Sequence, residues 1–94
     1  MTIDENRQRE WVEVFSALAS GTRLRIVIML ADGKMECQEI LSQLDLSQPA
    51  VSYHLGKLEH AGVLVKERRG IRNCYRLHNR ITELVNVFER EELR

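Results

Sequence analysis

Ninety-four residues, 44% of them hydrophobic and 30% charged, give room for one small domain, spanning 1–94, and none for a second core; two cysteines exclude a disulfide scaffold. Fourteen Lys and Arg balance fourteen Asp and Glu, which at first argues against a nucleic-acid partner. No apolar run approaches the roughly 20 residues of a membrane span, so no membrane partner is expected. The polar start Thr2-Ile3-Asp4-Glu5-Asn6-Arg7 does not read as a signal peptide, and a reducing cytoplasm is the expected location.

The first helix is expected over about residues 5–19, where Trp11, Val14, Phe15 and Leu18 recur at helical spacing. Ser20-Gly21 breaks the chain. Ser20 or Thr22 then caps a second helix through Leu24, Ile26, Val27, Leu30 and Ala31, which Asp32-Gly33 ends. Lys34 to Cys37 reads as a short extended piece leading into a third helix with Ile40, Leu41 and Leu44 inward. After the turn at Asp45-Leu46, Ser47 is a good N-cap, and Pro49 sits in the first turn, where its missing N–H costs nothing.

In this fourth helix Val51, Leu55 and Leu58 share one face, while Gln48, Ser52, Tyr53 and Lys57 share the other. Such a helix, aliphatic behind and hydrogen-bonding in front, suits a DNA major groove. Gly62 ends it as a left-handed cap. Val63 to Arg68 is rich in β-formers, Arg69-Gly70-Ile71 turns, and Arg72 to Leu77 returns. Alternation puts Tyr75 and Leu77 on the inner face and Arg72, Cys74 and Arg76 on the outer one. A last helix from about Arg80 to Glu92 carries Ile81, Leu84, Val85 and Phe88 at helical spacing.

The predicted fold is mainly α (α+β): a winged helix-turn-helix of five helices and a two-stranded wing. Charge follows this plan, because residues 51–80 hold seven Lys or Arg against two acids, and every other stretch is net acidic. A local cationic patch matters more to phosphate binding than the whole-chain sum. A three-helix core with a hairpin is already self-sufficient. The further apolar residues Trp11, Phe15, Leu18, Ile81, Leu84, Val85 and Phe88 therefore predict a homodimer packed through the first and last helices.

Expected DNA contacts follow from side-chain chemistry. Gln48 and Ser52 address base edges, and Tyr53 a thymine methyl or a phosphate. Ser47, His54 and Lys57 position the helix on the backbone, while Arg68, Arg69 and Arg72 at the hairpin tip reach phosphates or the minor groove. The partner so described is double-stranded operator DNA. Enzyme chemistry is not indicated: there is no glycine-rich phosphate loop, no HExxH and no nucleophile elbow.

Ala19-Ser20-Gly21-Thr22-Arg23-Leu24-Arg25-Ile26, the string Leu46 to Leu55 and the string Leu58 to Leu64 resemble the ArsR/SmtB family of transcriptional repressors, from about residue 11 to 88. The resemblance implies a winged-helix homodimer that binds operator DNA and releases it on sensing a metal, metalloid or oxidant. It does not extend to the usual ligand positions. Where zinc-sensing members carry an acid and a histidine at the start of the last helix, this chain has Asn79 and Ile81, and the helix closes with Glu89, Arg90, Glu91 and Glu92. Where arsenic- and cadmium-type members carry Cys-x-Cys, it has the lone thiol of Glu36-Cys37-Gln38. No cofactor or resident metal is expected.

Cys37, just before Ile40 and Leu41, reads as a small buried hydrophobe. Cys74, between Arg72 and Arg76 on the outer face, reads as a thiol activated by its cationic neighbours. A redox or metalloid switch from these two is the sharper expectation, though alternation sets them on opposite faces. His54, His60 and His78 are too scattered for a metal site. The alternatives are a winged-helix protein-interaction module or an inducer-independent DNA-binding regulator.

Overall fold

The computed structural model describes residue 2 and residues 4–90. Helix α1 (Glu5–Leu18) starts at Asp4, whose carboxylate accepts from the N–H groups of Asn6 (2.9 Å) and Arg7 (3.3 Å). Helix α2 (Gly21–Met29) is capped by Ser20 rather than Thr22, because the Ser20 hydroxyl accepts from Arg23 N–H at 3.3 Å. A 3₁₀ turn, Leu30–Asp32, ends it, and Gly33 turns the chain out at φ 136°. Strand β1 (Met35–Glu36) leads directly into α3 (Cys37–Ser42), where the Glu39 carboxylate accepts from Glu36 N–H at 2.9 Å.

Helix α4 (Gln48–His60) begins as expected: Ser47 Oγ accepts from Ala50 N–H at 3.3 Å, and Pro49 sits in the first turn. It ends in a Schellman motif. Gly62, at φ 82°, donates to the Glu59 carbonyl (3.0 Å) and Val63 to that of Leu58 (2.9 Å). Strands β2 (Leu64–Arg69) and β3 (Arg72–Leu77) pair antiparallel from Leu64 with Leu77 to Arg69 with Arg72. Gly70, at φ 63°, is the first of two turn residues, and Ile71 keeps a negative φ, as a II′ hairpin turn requires. Helix α5 (Asn79–Arg90) closes the described chain. The end expected at Glu92, like Glu91, lies outside the described residues.

The core joins Val14, Ala17 and Leu18 of α1 to Ile26 and Val27 of α2. With them pack Ile40, Val51, Leu55, Leu58, Tyr75, Leu77, Ile81 and Val85. No single helix among the described residues is long and apolar enough to cross a membrane. At the start of α5 the His78 Nδ1 accepts from Arg80 N–H at 3.2 Å. Burial and, next, the Arg80 and Arg76 charges hold this imidazole below its ordinary pKa, so it caps the helix in its neutral form.

The two-stranded wing is β2 with β3, and β1, the short extended piece expected before the third helix, adds a third strand through Met35 with Tyr75 and Glu36 with Cys74, giving the order β1-β3-β2. Two expectations need correction. Ile81 and Val85 are wholly buried within the protomer and Leu18 nearly so, so they belong first to its own core rather than to a dimer seam. The cause is that α5 folds back onto α2 and the 3₁₀ turn. In α1, likewise, the core takes Val14, Ala17 and Leu18, leaving Trp11 half-buried and Phe15 exposed.

The second correction concerns Cys74, which is buried, not exposed. Its cross-strand neighbours on both sides are carboxylates, Glu36 and Glu67. Arg72 donates to Glu36 at 3.3 Å, and Arg76 to Glu67 at 2.8 Å, with Lys34 at 4.0 Å from Glu67. The Arg76 hydrogen bond is the main reason the Glu67 carboxyl sits below the usual carboxylate range. The cations expected to activate the thiol are therefore engaged by acids from β1 and β2.

Candidate nucleic-acid interface

Helix α4 buries Val51, Leu55 and Leu58 completely. Rotation by 100° per residue then turns Ser52, Tyr53 and Lys57 to solvent, while Gln48, nearly in line with Leu55, is exposed because it opens the helix, as is the cap Ser47. Tyr53 is 58% exposed, unusually open for an aromatic, with Lys57 Nζ 5.6 Å from its ring centre. His54 differs from the rest of the expected set. It is half-buried, its ring stands edge-on to Tyr53 at 5.4 Å, and its Nδ1 is 3.3 Å from Arg23 Nη1.

Arg68, Arg69 and Arg72 are all exposed at the wing tip. Arg68 Nε donates to the Gly70 carbonyl at 3.2 Å, a bond that stiffens the turn. Arg72 shares its charge with Glu36, an acid 36 residues away in sequence and invisible to a local reading. Arg69 and Lys57 have no ion-pair partner among the described residues and present whole charges. Ile71, 93% exposed, stands at the extreme tip.

Helix and wing border one concavity of about 350 Å³, lined by Glu36, Cys37, Gln38, Gln48, Ile71, Arg72 and Asn73. The first residue of α4 and the wing tip therefore face the same groove. A polar helix face and an arginine-bearing hairpin so placed can enter a major groove and grip the flanking phosphates of one duplex.

The two cysteines are both free. Cys37 opens α3 and packs half-buried against the main core, whereas Cys74 is buried apart from that core, on the Glu36 and Glu67 side of the sheet. Among the described residues no group of three or more His, Cys, Asp or Glu converges as a metal site would require.

A second exposed surface lies away from α4. Phe15, Leu18, Ala19, Leu24, Ile28, Val87 and Phe88 line an apolar groove of about 570 Å³ across α1, α2 and α5. Phe15 (53%), Val87 (44%) and Ile28 (39%) stay exposed there, beside Trp11, whose ring centre is 5.9 Å from that of Phe15. Of the expected seam residues, Phe15, Leu18 and Phe88 line this groove, and Trp11 and Leu84 are half-buried. Leu24, Ile28 and Val87 were not expected. Ile28 and Val87 are apolar yet off the core stripes of their helices, and that mismatch was the available signal, whereas Leu24 reads from the sequence as part of the apolar pattern of α2 itself.

Comparison with known proteins agrees with this architecture. The helix-turn-helix domain family matches residues 18–67. The arsenic resistance transcriptional regulator ArsR1 of Pseudomonas putida is 39% identical over 75 residues, which is 79% of this chain and 59% of that protein. The chain thus spans little more than half the length of this curated relative. The structure of HlyU from Vibrio cholerae N16961 superposes with a TM-score of 0.85 at 28% identity, covering 93% of this chain and 96% of that one. The homodimeric winged helix-turn-helix DNA-binding domain Mb0332 of Mycobacterium bovis gives a TM-score of 0.82 at 25% identity, over 94% and 84% of the two chains. The chain belongs to the ArsR/SmtB family of winged helix-turn-helix transcriptional regulators.

Proposed function

We propose that this protein is a homodimeric, sequence-specific repressor that occupies promoter DNA in the cytoplasm. The observation that carries the reading is the shared groove: Gln48 at the start of α4 and Arg72 at the wing tip line one concavity, and Arg69, opposite Arg72 in the hairpin, adds a charge with no ion-pair partner among the described residues. Two copies related by a two-fold axis would set their α4 helices about 34–36 Å apart, one turn of duplex, and so read an imperfect palindrome. Repression then follows from occupancy, because polymerase and repressor compete for the same promoter. The apolar groove of Phe15, Ile28 and Val87 supports the second copy.

A thiol-redox or metalloid response, which the family allows, has no converging group of three or more donors among the described residues to support it. The proposal therefore names no inducer, and no step passes through a metal. Mobility-shift titration and footprinting on the protein's own upstream DNA test the reading. A protected palindrome with half-sites one turn apart is the expected result, and equal affinity for random duplex of the same length overturns it. In the same assay Arg69→Ala weakens all sequences alike and lowers the slope of log affinity against log salt by about one, as the loss of a single phosphate contact should.

A further inference from the structure

We propose that Arg23 is a positioning residue for operator recognition, acting through His54 as a latch between the end of α1 and α4. The proposal rests on α4 being the element that reads DNA. Arg23 lies in the first turn of α2, and its guanidinium spans two other helices. Nε donates to the Ala17 carbonyl at 2.6 Å, and Nη1 meets His54 Nδ1 at 3.3 Å. The Ala17 carbonyl belongs to the last turn of α1, where carbonyls lack intrahelical partners and the helix dipole favours a cation.

Arginine has donors only and keeps its proton throughout the accessible pH range. His54 Nδ1 must therefore accept, which fixes a neutral imidazole with its proton on Nε2. One rigid fork makes both bonds at once. A lysine ammonium on a flexible stem cannot hold that geometry.

The latch bears on the recognition face because of where His54 sits. Leu55, next in sequence, is locked in the core, and Tyr53, on the other side, is the exposed aromatic against which the His54 ring stands edge-on. Lys57 then lies over Tyr53. Holding His54 thus sets the Tyr53 and Lys57 side chains that face outward. At its other end the latch grips the part of α1 whose Phe15 and Leu18 line the apolar groove.

The test compares wild type, Arg23→Lys, Arg23→Ala, His54→Ala and the double variant Arg23→Ala/His54→Ala. Each is titrated against the footprinted operator and against random duplex. Arg23→Ala and Arg23→Lys should each lose about tenfold in operator affinity beyond any loss on random duplex, and His54→Ala should add no further loss in the Arg23→Ala background. Additive losses or full restoration by Arg23→Lys overturn the latch. A long-range ¹H–¹⁵N spectrum of the free protein reads the pairing without DNA: a proton on His54 Nε2 supports it, and one on Nδ1 overturns it. Failure of wild type to prefer operator over random duplex removes the DNA reading and the positioning role with it, whatever the tautomer.

Discussion

Gln48→Ala should lower affinity for the operator by about 1–3 kcal/mol, roughly 5- to 150-fold, while leaving random duplex almost unaffected. Gln48 is the first residue of α4, and the N-terminal residues of a groove-bound helix are those that meet base edges. Its amide offers donors and an acceptor on one plane, the pattern that pairs with adenine in the major groove. The side chain is exposed, and its backbone is held by the Ser47 cap and by Pro49, whose ring fixes φ. Little ordering is then left to do on binding, so most of the base contact should appear as discrimination. Competition titration with single-base operator variants measures it. A loss shared equally by operator and random duplex would reassign Gln48 to the phosphate backbone.

The second large effect concerns the apolar groove. On the dimeric reading proposed above, Ile28→Asp should leave the protein monomeric and reduce operator affinity by about a hundredfold or more, since the gain from engaging two linked half-sites is lost. Ile28 stands at the groove with Phe15 and Val87, each partly open to water in the protomer. Covering such side chains gains about 1.5–3 kcal/mol apiece, which four or so per protomer turn into a stable seam. An aspartate there must be desolvated without a partner, at a cost comparable to the whole gain. The protomer itself should survive, because the adjacent Ile26 and Val27 carry the core contacts of α2. Sedimentation equilibrium reads the mass, and circular dichroism confirms the retained helices. A variant that stays dimeric would move the seam away from α2, and Val87→Asp then tests the α5 side independently.

Much of the recognition helix was legible in the residues from Ser47 to Gly62. The cap, the first-turn proline, the aliphatic stripe and the glycine stop each act through neighbours within a turn, so the sequence contains the whole cause. The same holds for the hairpin between Arg69 and Arg72, where a glycine at positive φ is a local requirement. Long-range pairing is another matter. No local pattern tells that Glu36 will pair with Arg72 and stand opposite Cys74 in the sheet.

The seam shows the same division. Periodicity found the apolar faces of α1 and α5, yet it counted Ile81 and Val85 toward a partner, although both are filled by the protomer's own core. It also passed over Ile28 and Val87, which lie off the core stripes and are exposed by the way three helices meet. Arg23 and His54 lie 31 residues apart, and only folding brings them within hydrogen-bonding reach.

By itself, then, the order of residues determined the helices, their caps, the wing and the polar face that opens at Gln48, because those depend on steric and hydrogen-bonding preferences acting over a few residues. The tertiary structure alone decided which cations remain unpaired, which thiol is buried and which apolar side chains are left for a second copy. Those outcomes depend on what remote segments place opposite each side chain, and burial and charge pairing are properties of that opposition rather than of the residue.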